Sequence, residues 1–437
     1  MALPLAGLRI AVTMPPPSWF GGIDYNFAVE MGDQMRSLGA AIFEVDVHPC
    51  VLRNEIYVKN TIANLRSFRP DVAVSLPNSI YALHCATASG ENIFADVLQV
   101  PVVMLWDHGL LQFPKHVLDP LPRNFKDARD GCIERLRRVL NHPLFYHYSP
   151  DRGHIDVMGR LGLLDPAKVR FFLQPAYPNF VRYGYSGTRG ATFSSRVAFA
   201  GNVYIQTAKD VPFRENPTLG DIEERALKTK RMRLNESLWD LLIQEIDALG
   251  PQEKRALRLN PDSDFFWSFL YDEIEYVGNT EVRLSVLKGL KHECEFFGNF
   301  VEPNSVVALR QQHRMRSRKC LDYFTELPLL FMNSDVIVDV INLGYNSGVS
   351  PKVMGCLACG GLVLFDYKED FANIMGDFGD GVMYRNIDHL NTLIDRYLTD
   401  RRKRLDTVRY LQHRICTEFS FGALCQRFLV GEPIWRA

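Results

Sequence analysis

The residues best suited to hold an anion lie in one glycine-bearing segment near the C-terminus, from Asp335 to Asp366. Its pattern is typical of a strand, a loop, a short helix and a second strand. Ser350 can accept a first-turn N–H of that helix, and Pro351 suits the first helical position because it has no N–H. Lys352 follows in the same turn, although a cation is normally disfavoured at the positive end of a helix dipole. An anion docked between the lysine and the unbonded amides removes this conflict, so the segment predicts a phosphate site.

Glycines on both sides of the helix support the same interpretation. Gly344 and Gly348 let a ligand approach the backbone closely, and Gly360-Gly361 ends the helix so that the next strand starts at once. We expect Lys352 to lie at a solvent-facing cleft, so its removal should leave the fold intact. The alternative for this segment is a plain strand-turn-helix connection with a solvated lysine.

Polar residues that follow two strands of the N-terminal half are candidates for proton transfer. Asp107 and His108 come directly after the apolar strand that ends at Trp106, at the edge of the sheet where α/β folds place ligands. We interpret His108 as a group that contacts a bound substrate or accepts a proton from it, with Asp107 orienting it; the alternative is a loop histidine bonded to nearby backbone. His147 and Ser149 form a second, weaker pair. One further group is expected to line a cleft between two domains: Gln174 and Pro175 to Tyr177.

Length and charge exclude several classes of protein. The 437 residues suit two domains of about 200 residues, and 47% hydrophobic residues predict a compact fold rather than disorder. Fifty Lys plus Arg against 51 Asp plus Glu give a net charge of -1, so nothing global attracts nucleic acid or an acidic membrane. Nine scattered cysteines, no leader pattern and no apolar run long enough to span a bilayer indicate a reduced, cytoplasmic protein.

Short apolar runs that alternate with amphipathic segments predict an α/β fold with parallel sheets. We place an N-terminal domain at 1–190, with five or six strands, and a second α/β domain at 191–415, with a helical insertion at about 205–290. The last segment, 416–437, is predicted to be helical and to pack back toward the N-terminal domain.

Three motifs are assigned a structural rather than a functional role. Cys356 and Cys359 have the spacing of half a zinc or redox site, but no second half accompanies them, so they are interpreted as packing residues. Asp262-Ser263-Asp264 resembles a metal-binding D-x-D but opens a helix, as a cap does. The basic runs are interpreted as solvated faces of helices, with binding of a phosphorylated lipid as the alternative: Lys228 to Arg233, Arg314 to Lys319 and Arg401 to Arg404.

The segment from Ser350-Pro351-Lys352 to Cys359-Gly360-Gly361 resembles the donor-binding helix of GT-B glycosyltransferases, in particular the CgeB-like branch. The similarity extends from Leu321 to Cys425. It includes the apolar strand before the loop and three later elements: Asp370-Phe371, Asp388-His389-Leu390 and Glu418 to Phe421. Near the N-terminus, Gly21-Gly22 and the helix end at Leu38-Gly39 look like the opening of the same superfamily.

The resemblance implies two Rossmann-like domains facing across a cleft, with a nucleotide-sugar donor on the C-terminal one and a glycan, glycolipid or protein acceptor on the N-terminal one. It implies no resident cofactor and no metal, because a lysine and a helix dipole stabilise the departing diphosphate. Lys352, His108 and Asp107 are the expected catalytic residues. The expected donor-binding residues are Gly22, Gly201, Asn202, Gly348, Val349, Ser350, Pro351, Lys352, Val353 and Asp366.

The sequence departs from the family pattern at two positions. Many retaining relatives carry two glutamates eight positions apart here, the second binding the donor ribose, whereas this chain has Ser347 and Gly355. Asp366 or Asp335 are candidate substitutes. Two alternatives therefore stay open, namely a sugar-nucleotide-binding protein that catalyses nothing and a GT-B-fold epimerase or hydrolase.

Overall fold

The computed structural model describes residues 3–18, 23–75, 80–106, 131–186, 193–203, 216–298, 315–431, 433 and 435. The chain forms two compact units. The first contains the described residues up to Trp106, then Cys132–Pro178 and the chain from Thr417 onward, and the second is built on Asn179–Cys416. The division therefore falls at Pro178, earlier in the chain than the sequence boundary at 190.

The first unit is built on a parallel sheet of six strands. The strand order is β2-β1-β3-β4-β5-β6, which reverses direction between β1 and β3. All four residues of β3 and of β4 are buried, as expected for strands covered by helices on both faces. The strands are β1 (Arg9–Met14), β2 (Ala41–Asp46), β3 (Val72–Ser75), β4 (Val102–Leu105), β5 (Phe145–Ser149) and β6 (Val169–Phe171).

Local signals set the helix ends of this unit. The Asn54 side chain accepts the Tyr57 N–H at the start of α3, which ends where Arg69 adopts φ 53°. A π-helical turn covers Ile93–Val97 and a 3₁₀ turn covers Pro166–Lys168. The helices are α1 (Ile23–Ser37), α2 (His48–Val51), α3 (Glu55–Phe68), α4 (Ile80–His84), α5 (Cys132–Leu140) and α6 (Arg152–Arg160).

The second unit also carries six parallel strands, in the order β12-β11-β10-β7-β8-β9. Counted within the unit, this is the doubly wound order in which the first and fourth strands, β7 and β10, are neighbours at the point of reversal. Val338 of β10 pairs with Phe199 of β7 and Leu364 of β11. The strands are β7 (Val197–Ala200), β8 (Cys294–Phe297), β9 (Met315–Arg318), β10 (Val336–Val338), β11 (Val363–Asp366) and β12 (Met383–Tyr384).

Helices occupy most of the remaining second unit. Ser263 caps the Phe265 N–H, so the D-x-D motif is a helix start, as predicted. A π-helical segment, Asp272–Gly278, runs directly into α12. The helices are α7 (Pro178–Ser186), α8 (Pro217–Met232), α9 (Leu238–Asp247), α10 (Pro251–Ala256), α11 (Asp264–Tyr271), α12 (Asn279–Gly289), α13 (Leu327–Asn333), α14 (Pro351–Ala358), α15 (Glu369–Met375), α16 (Asp377–Asp380), α17 (Ile387–Thr399) and α18 (Arg401–Glu418).

The chain then returns to the first unit through α19 (Phe421–Gln426) and a π-helical turn, Arg427–Gly431. Ser420 forms a parallel bridge with Ala176. The Phe421 ring lies 4.6 Å from that of Tyr177, centroid to centroid. No helix within the described ranges is long and apolar enough to cross a membrane.

The prediction of a helix over the basic run Arg314 to Lys319 was wrong, because Met315–Arg318 forms the edge strand β9. Its arginines pair with acidic residues of the neighbouring chain segment. Arg316 lies 2.7 Å from Glu293, and Arg318 lies 2.8 Å from Glu295. Charged side chains on an edge strand discourage pairing with another molecule, which explains why this strand has little apolar pattern.

Two helical glycines provide a test of the packing around α14. A Cβ at Gly184 in α7 would lie 2.1 Å from the Ala358 carbonyl oxygen, whereas one at Gly220 in α8 would meet nothing within 4 Å. We expect Gly184→Ala to lower the free energy of unfolding by about 1–3 kcal/mol through overpacking. The matched Gly220→Ala should leave it unchanged or raise it by up to about 1 kcal/mol. Urea unfolding of both variants measures this, and equal stabilities would contradict the described packing.

Candidate functional site

The first turn of α14 has the predicted cap. Ser350 is extended (φ -80°, ψ 155°), and its Oγ accepts the Val353 N–H at 3.4 Å. Pro351 occupies the first helical position, where no N–H is needed. The cap prediction is confirmed, and α14 begins at the carboxyl ends of the second unit's strands.

Lys352 folds back onto the sheet instead of extending into solvent. Its Nζ lies 2.5 Å from Asp339 Oδ1 and donates a hydrogen bond to the Ala200 carbonyl at 2.7 Å. The lysine side chain is 23% exposed and that of Asp339 is 1% exposed. The lysine is therefore partly exposed, and a buried carboxylate holds its ammonium group at the sheet edge.

This contact lies at the topological switch point of the second sheet. Ala200 ends β7, Asp339 follows β10, and these are the two strands between which the order reverses. In doubly wound folds, ligands bind outside the carboxyl ends of the strands at this point. The Lys352 ammonium therefore occupies the position at which this architecture places a ligand-binding group.

The predicted residues Gly201 and Asn202 lie beside this ammonium. A Cβ at Gly201 would be 3.5 Å from Lys352 Nζ. The Asn202 carbonyl accepts a hydrogen bond from Arg283 Nη1 at 2.9 Å. A Cβ at Gly298 would lie only 2.0 Å from the Gly201 carbonyl oxygen, so the ends of β7 and β8 approach more closely than a larger residue allows.

Polar side chains hold the start of the loop between β10 and α14. Asn342 Oδ1 accepts the Gly344 N–H at 2.6 Å, and Asn342 Nδ2 donates to Glu275 Oε2 at 3.0 Å. Asn279 Oδ1 accepts the Leu343 N–H at 2.8 Å. Gly344 also packs against Glu275, whose Oε1 would be 2.3 Å from an added Cβ. The helical segment from Asp272 onward therefore positions this loop.

Asp366 supports the same loop from inside the unit. Its Oδ1 accepts the Ile341 N–H at 2.8 Å, and its Oδ2 lies 3.4 Å from Lys368 Nζ. Lys368 Nζ in turn donates to the Tyr345 carbonyl at 3.0 Å. Both side chains are at most 3% exposed. Asp335, the other candidate substitute for a ribose-binding carboxylate, lies at the amino end of β10 and pairs with Arg404 at 2.7 Å.

Ser347 and Gly355, the two positions where the family that the sequence resembles carries glutamates, both contact other protein atoms. Ser347 Oγ donates to Asp370 Oδ2 at 2.6 Å. A Cβ at Gly355 would lie 2.9 Å from Cδ1 of the Phe180 ring, which covers this face of α14. The remaining predicted donor-binding residues are buried around the cap: Gly348, Val349 and Val353.

The proton-transfer candidates of the first unit have different outcomes. Gly22, Asp107 and His108 lie outside the described residues. His147 is fully buried in the core, where Nε2 contacts the Leu140 carbonyl at 2.9 Å and Nδ1 accepts the Trp106 Nε1–H at 3.3 Å. Burial lowers the pKa of His147 to about 4, so the ring is neutral and serves packing. The weaker catalytic assignment of His147 was wrong.

Gln174 and Tyr177 are also core residues of the first unit, 1% and 0% exposed. The Tyr177 ring stacks on that of Phe27 with 3.7 Å between ring centroids. Their positions are thus explained by packing within this unit.

The cysteine pair is structural, as predicted. Cys356 and Cys359 are buried free thiols, and burial raises the pKa of each well above its usual value. The Asp339 carboxylate further raises the pKa of Cys356. Within the part of the chain that the structure describes, no three His, Cys, Asp or Glu side chains could together hold a metal ion.

Three buried charged residues of the second unit were not predicted from the sequence: Asp339, Lys368 and Lys230. Asp339 interrupts an apolar run, and this is the signal that could have identified it. Lys230 belongs to the basic run Lys228 to Arg233, so the interpretation of this run as a solvated face was wrong at this residue. Lys230 is 2% exposed, and its Nζ donates to the carbonyls of Leu234 and Glu236 at 2.6 Å. Burial lowers its pKa to about 7, partly offset by the Asp366 carboxylate.

A C-terminal part of the chain, mostly in the second unit, matches a family model. Residues 284–429 match a family model described as "Glycosyl transferase-like", and this range includes α14 and Lys352. A search of curated proteins returns no match.

Two solved structures resemble the whole chain. One is an α-glucosyltransferase in complex with UDP and a 13-mer DNA containing a HMU base, with 11% identity, coverage of 99% of this chain and 100% of that chain, and a TM-score of 0.52. The other is sucrose-phosphate synthase from Thermosynechococcus elongatus, with 8% identity, coverage of 98% and 100%, and a TM-score of 0.51. These likenesses concern the fold alone, and the predicted α/β fold with two Rossmann-like domains, the GT-B class, is confirmed.

The buried Lys230 predicts a pH dependence of stability. Between its folded pKa of about 7 and the usual 10.5, the unfolded chain binds a proton that the folded chain does not. Stability should therefore rise with pH in this window, by up to about 1.4 kcal/mol per pH unit from this group. We expect the free energy of unfolding in urea, taken as wild type minus Lys230→Met, to increase between pH 7 and pH 9.

The control is Lys228→Met, which removes an exposed lysine from the same helix. The difference between wild type and this variant should not change with pH over the same range. A parallel pH dependence of wild type and Lys230→Met would contradict the assignment.

Proposed function

We propose that this protein is a glycosyltransferase that moves a sugar from a nucleoside-diphosphate-sugar donor to an acceptor hydroxyl. The observation that carries the proposal is the position of Lys352, whose ammonium lies beside the capped start of α14 at the switch point of the second sheet. The match of residues 284–429 to a glycosyltransferase-like model supports it. Fold similarity raises the expectation without deciding the reaction, because function resides in the site.

In this proposal the second unit binds the donor, and its main task is to stabilise the departing diphosphate. Lys352 supplies a cation, and the helix start from Val349 to Val353 supplies the positive end of the helix dipole together with the N–H groups of Val349, Ser350 and Lys352, since Pro351 has none and that of Val353 is donated to Ser350. Gly201, Asn202 and Gly348 allow the donor to approach the backbone. Asp366 contributes indirectly, because its carboxylate holds the loop at Ile341.

The first unit receives the acceptor in this proposal. His108 is the proposed acceptor-side group, with Asp107 orienting it. The proposed acceptor is a glycan, a glycolipid or a protein, and the proposed location is the cytoplasm. We further propose that transfer needs no metal ion, because Lys352 and the helix amides perform the electrostatic task that a divalent cation performs elsewhere.

One observation favours a second candidate function. Ser347 is bonded to Asp370, and Gly355 is covered by Phe180, so neither glutamate position offers a carboxylate to the donor. A chain without these groups could bind a sugar nucleotide without transferring its sugar. A third candidate, an epimerase or hydrolase, would consume the donor with no acceptor present.

Donor turnover separates the three candidates. Thermal-shift screening of nucleotide sugars should identify the donor, because a ligand that binds only the native state raises the melting temperature. A transferase then consumes this donor much faster with an acceptor extract than without it. Equal consumption without acceptor would support the epimerase or hydrolase, and binding without consumption would support the binding protein.

We expect 5 mM EDTA to leave transfer unchanged, and loss of transfer would contradict metal independence.

A variant tests the role of Lys352 in catalysis. Lys352→Met alone leaves the Asp339 carboxylate buried without its charge partner, so it should be combined with Asp339→Asn. We expect the double variant to keep its fold and to lose about 10²–10³-fold in kcat, as when one oxyanion donor is removed. The matched control is Lys288→Ala, an exposed lysine of the same unit. Unchanged kcat in a folded double variant would remove Lys352 from the mechanism.

A crystal soak tests the location of the donor. Crystals soaked with UDP or GDP should show the diphosphate beside Ser350 to Lys352. Diphosphate density elsewhere would overturn the proposed site.

A further inference from the structure

The carboxylate of Asp339 is unusual for its place in the fold. It follows the central strand β10, is 1% exposed, and lies 2.5 Å from Lys352 Nζ. Tyr384 donates its hydroxyl to the Asp339 backbone carbonyl at 2.7 Å, which fixes the main chain here. Buried carboxylates are rare unless they are paired, so the pairing with Lys352 accounts for the presence of this side chain.

The contacts of Lys352 leave it little freedom. An ammonium group has three N–H donors. One is donated to the Ala200 carbonyl, and the nitrogen forms an ion pair with Asp339 Oδ1. At least one N–H therefore remains for a ligand, and the two contacts fix the position of the nitrogen from β7 and from β10.

Charge burial keeps the pair together when a ligand arrives. If Lys352 moved away to a phosphate, Asp339 would stay buried without a counter-charge, which is strongly unfavourable. The lysine must therefore meet an anion while still bonded to Asp339. The pair has no net charge, so the remaining attraction for an anion comes from one N–H and from the helix amides.

We propose that Asp339 is the positioning residue of the anion site. It holds the Lys352 ammonium at the switch point so that one N–H meets the terminal phosphate of a nucleoside diphosphate, and it makes the lysine–carboxylate pair formally neutral. This inference rests on the proposed function. A fixed pair without net charge can still donate an N–H to the charge that develops on the leaving group. It binds the product diphosphate less tightly than an unpaired lysine would.

The test compares the binding of four probes, UDP, GDP, ADP and dTDP, by calorimetry at 50 and 300 mM NaCl. Asp339→Asn keeps the shape of the side chain and removes its charge, so the site gains one positive charge. We expect the variant to bind the preferred diphosphate about fivefold more tightly than wild type at 50 mM NaCl, and to lose most of this gain at 300 mM. A purely structural role would weaken binding or leave it unchanged at both salt concentrations.

Three further variants isolate the contribution of the Lys352–Asp339 pair. The gain from Asp339→Asn should be absent in Asp339→Asn/Lys352→Met, because the carboxylate acts through the lysine. Lys352→Met alone should lower the melting temperature, and adding Asp339→Asn should restore it. Asp335→Asn, the same substitution at the opposite end of the same strand, should leave diphosphate binding at the wild-type level.

Each outcome decides between the claims. If wild type binds none of the four diphosphates, the proposed function itself is overturned. If wild type binds one and Asp339→Asn shows no gain at low salt, the positioning role is overturned and the proposed function stands. A gain that persists without Lys352 would also overturn the positioning role.

Discussion

The second unit depends on keeping one partly buried cation in place. Lys352 lies in the first turn of α14, and its ammonium contacts Ala200 at the end of β7 and Asp339 directly after β10. It thereby connects three elements that are distant in sequence. The parallel strand order brings these ends together, because β7 and β10 are neighbours only at the reversal. The aliphatic stem of the lysine is packed while its charge is paired, and this combination lets a cation sit at the positive end of a helix dipole.

The loop before α14 is held from two sides by polar groups. Asn342 and Glu275 fix its start through a hydrogen bond. Lys368, which is paired with Asp366, donates a hydrogen bond to the Tyr345 carbonyl. These contacts order the loop during folding, so no ordering cost remains when a ligand binds. The glycines in the loop do not imply a mobile segment here, because side chains from the helical segment and from β11 supply the stiffness.

Local signals made much of this architecture predictable from sequence. Apolar runs predicted the five or six parallel strands of the first domain, of which the structure has six, and Ser350 and Pro351 predicted the start of α14, because both signals depend on nearby residues. The strand that was missed, β9 of the second unit, is a short charged edge strand whose pairing partner is set by the sheet and not by its own pattern. The partner of Lys352 was missed for a related reason: the burial of a charged side chain depends on contacts between distant segments.

The ring of Phe180 against Gly355 has an evolutionary consequence. A glutamate side chain at position 355 would overlap the Phe180 ring. A carboxylate can therefore be placed here only if Phe180 is replaced by a smaller residue. Shrinking the ring first would leave a cavity beside α14, which is itself unfavourable. Each of the two steps is disfavoured until the other has occurred. A glutamate at position 355 therefore requires two coupled substitutions in this chain, one at Gly355 and one at Phe180.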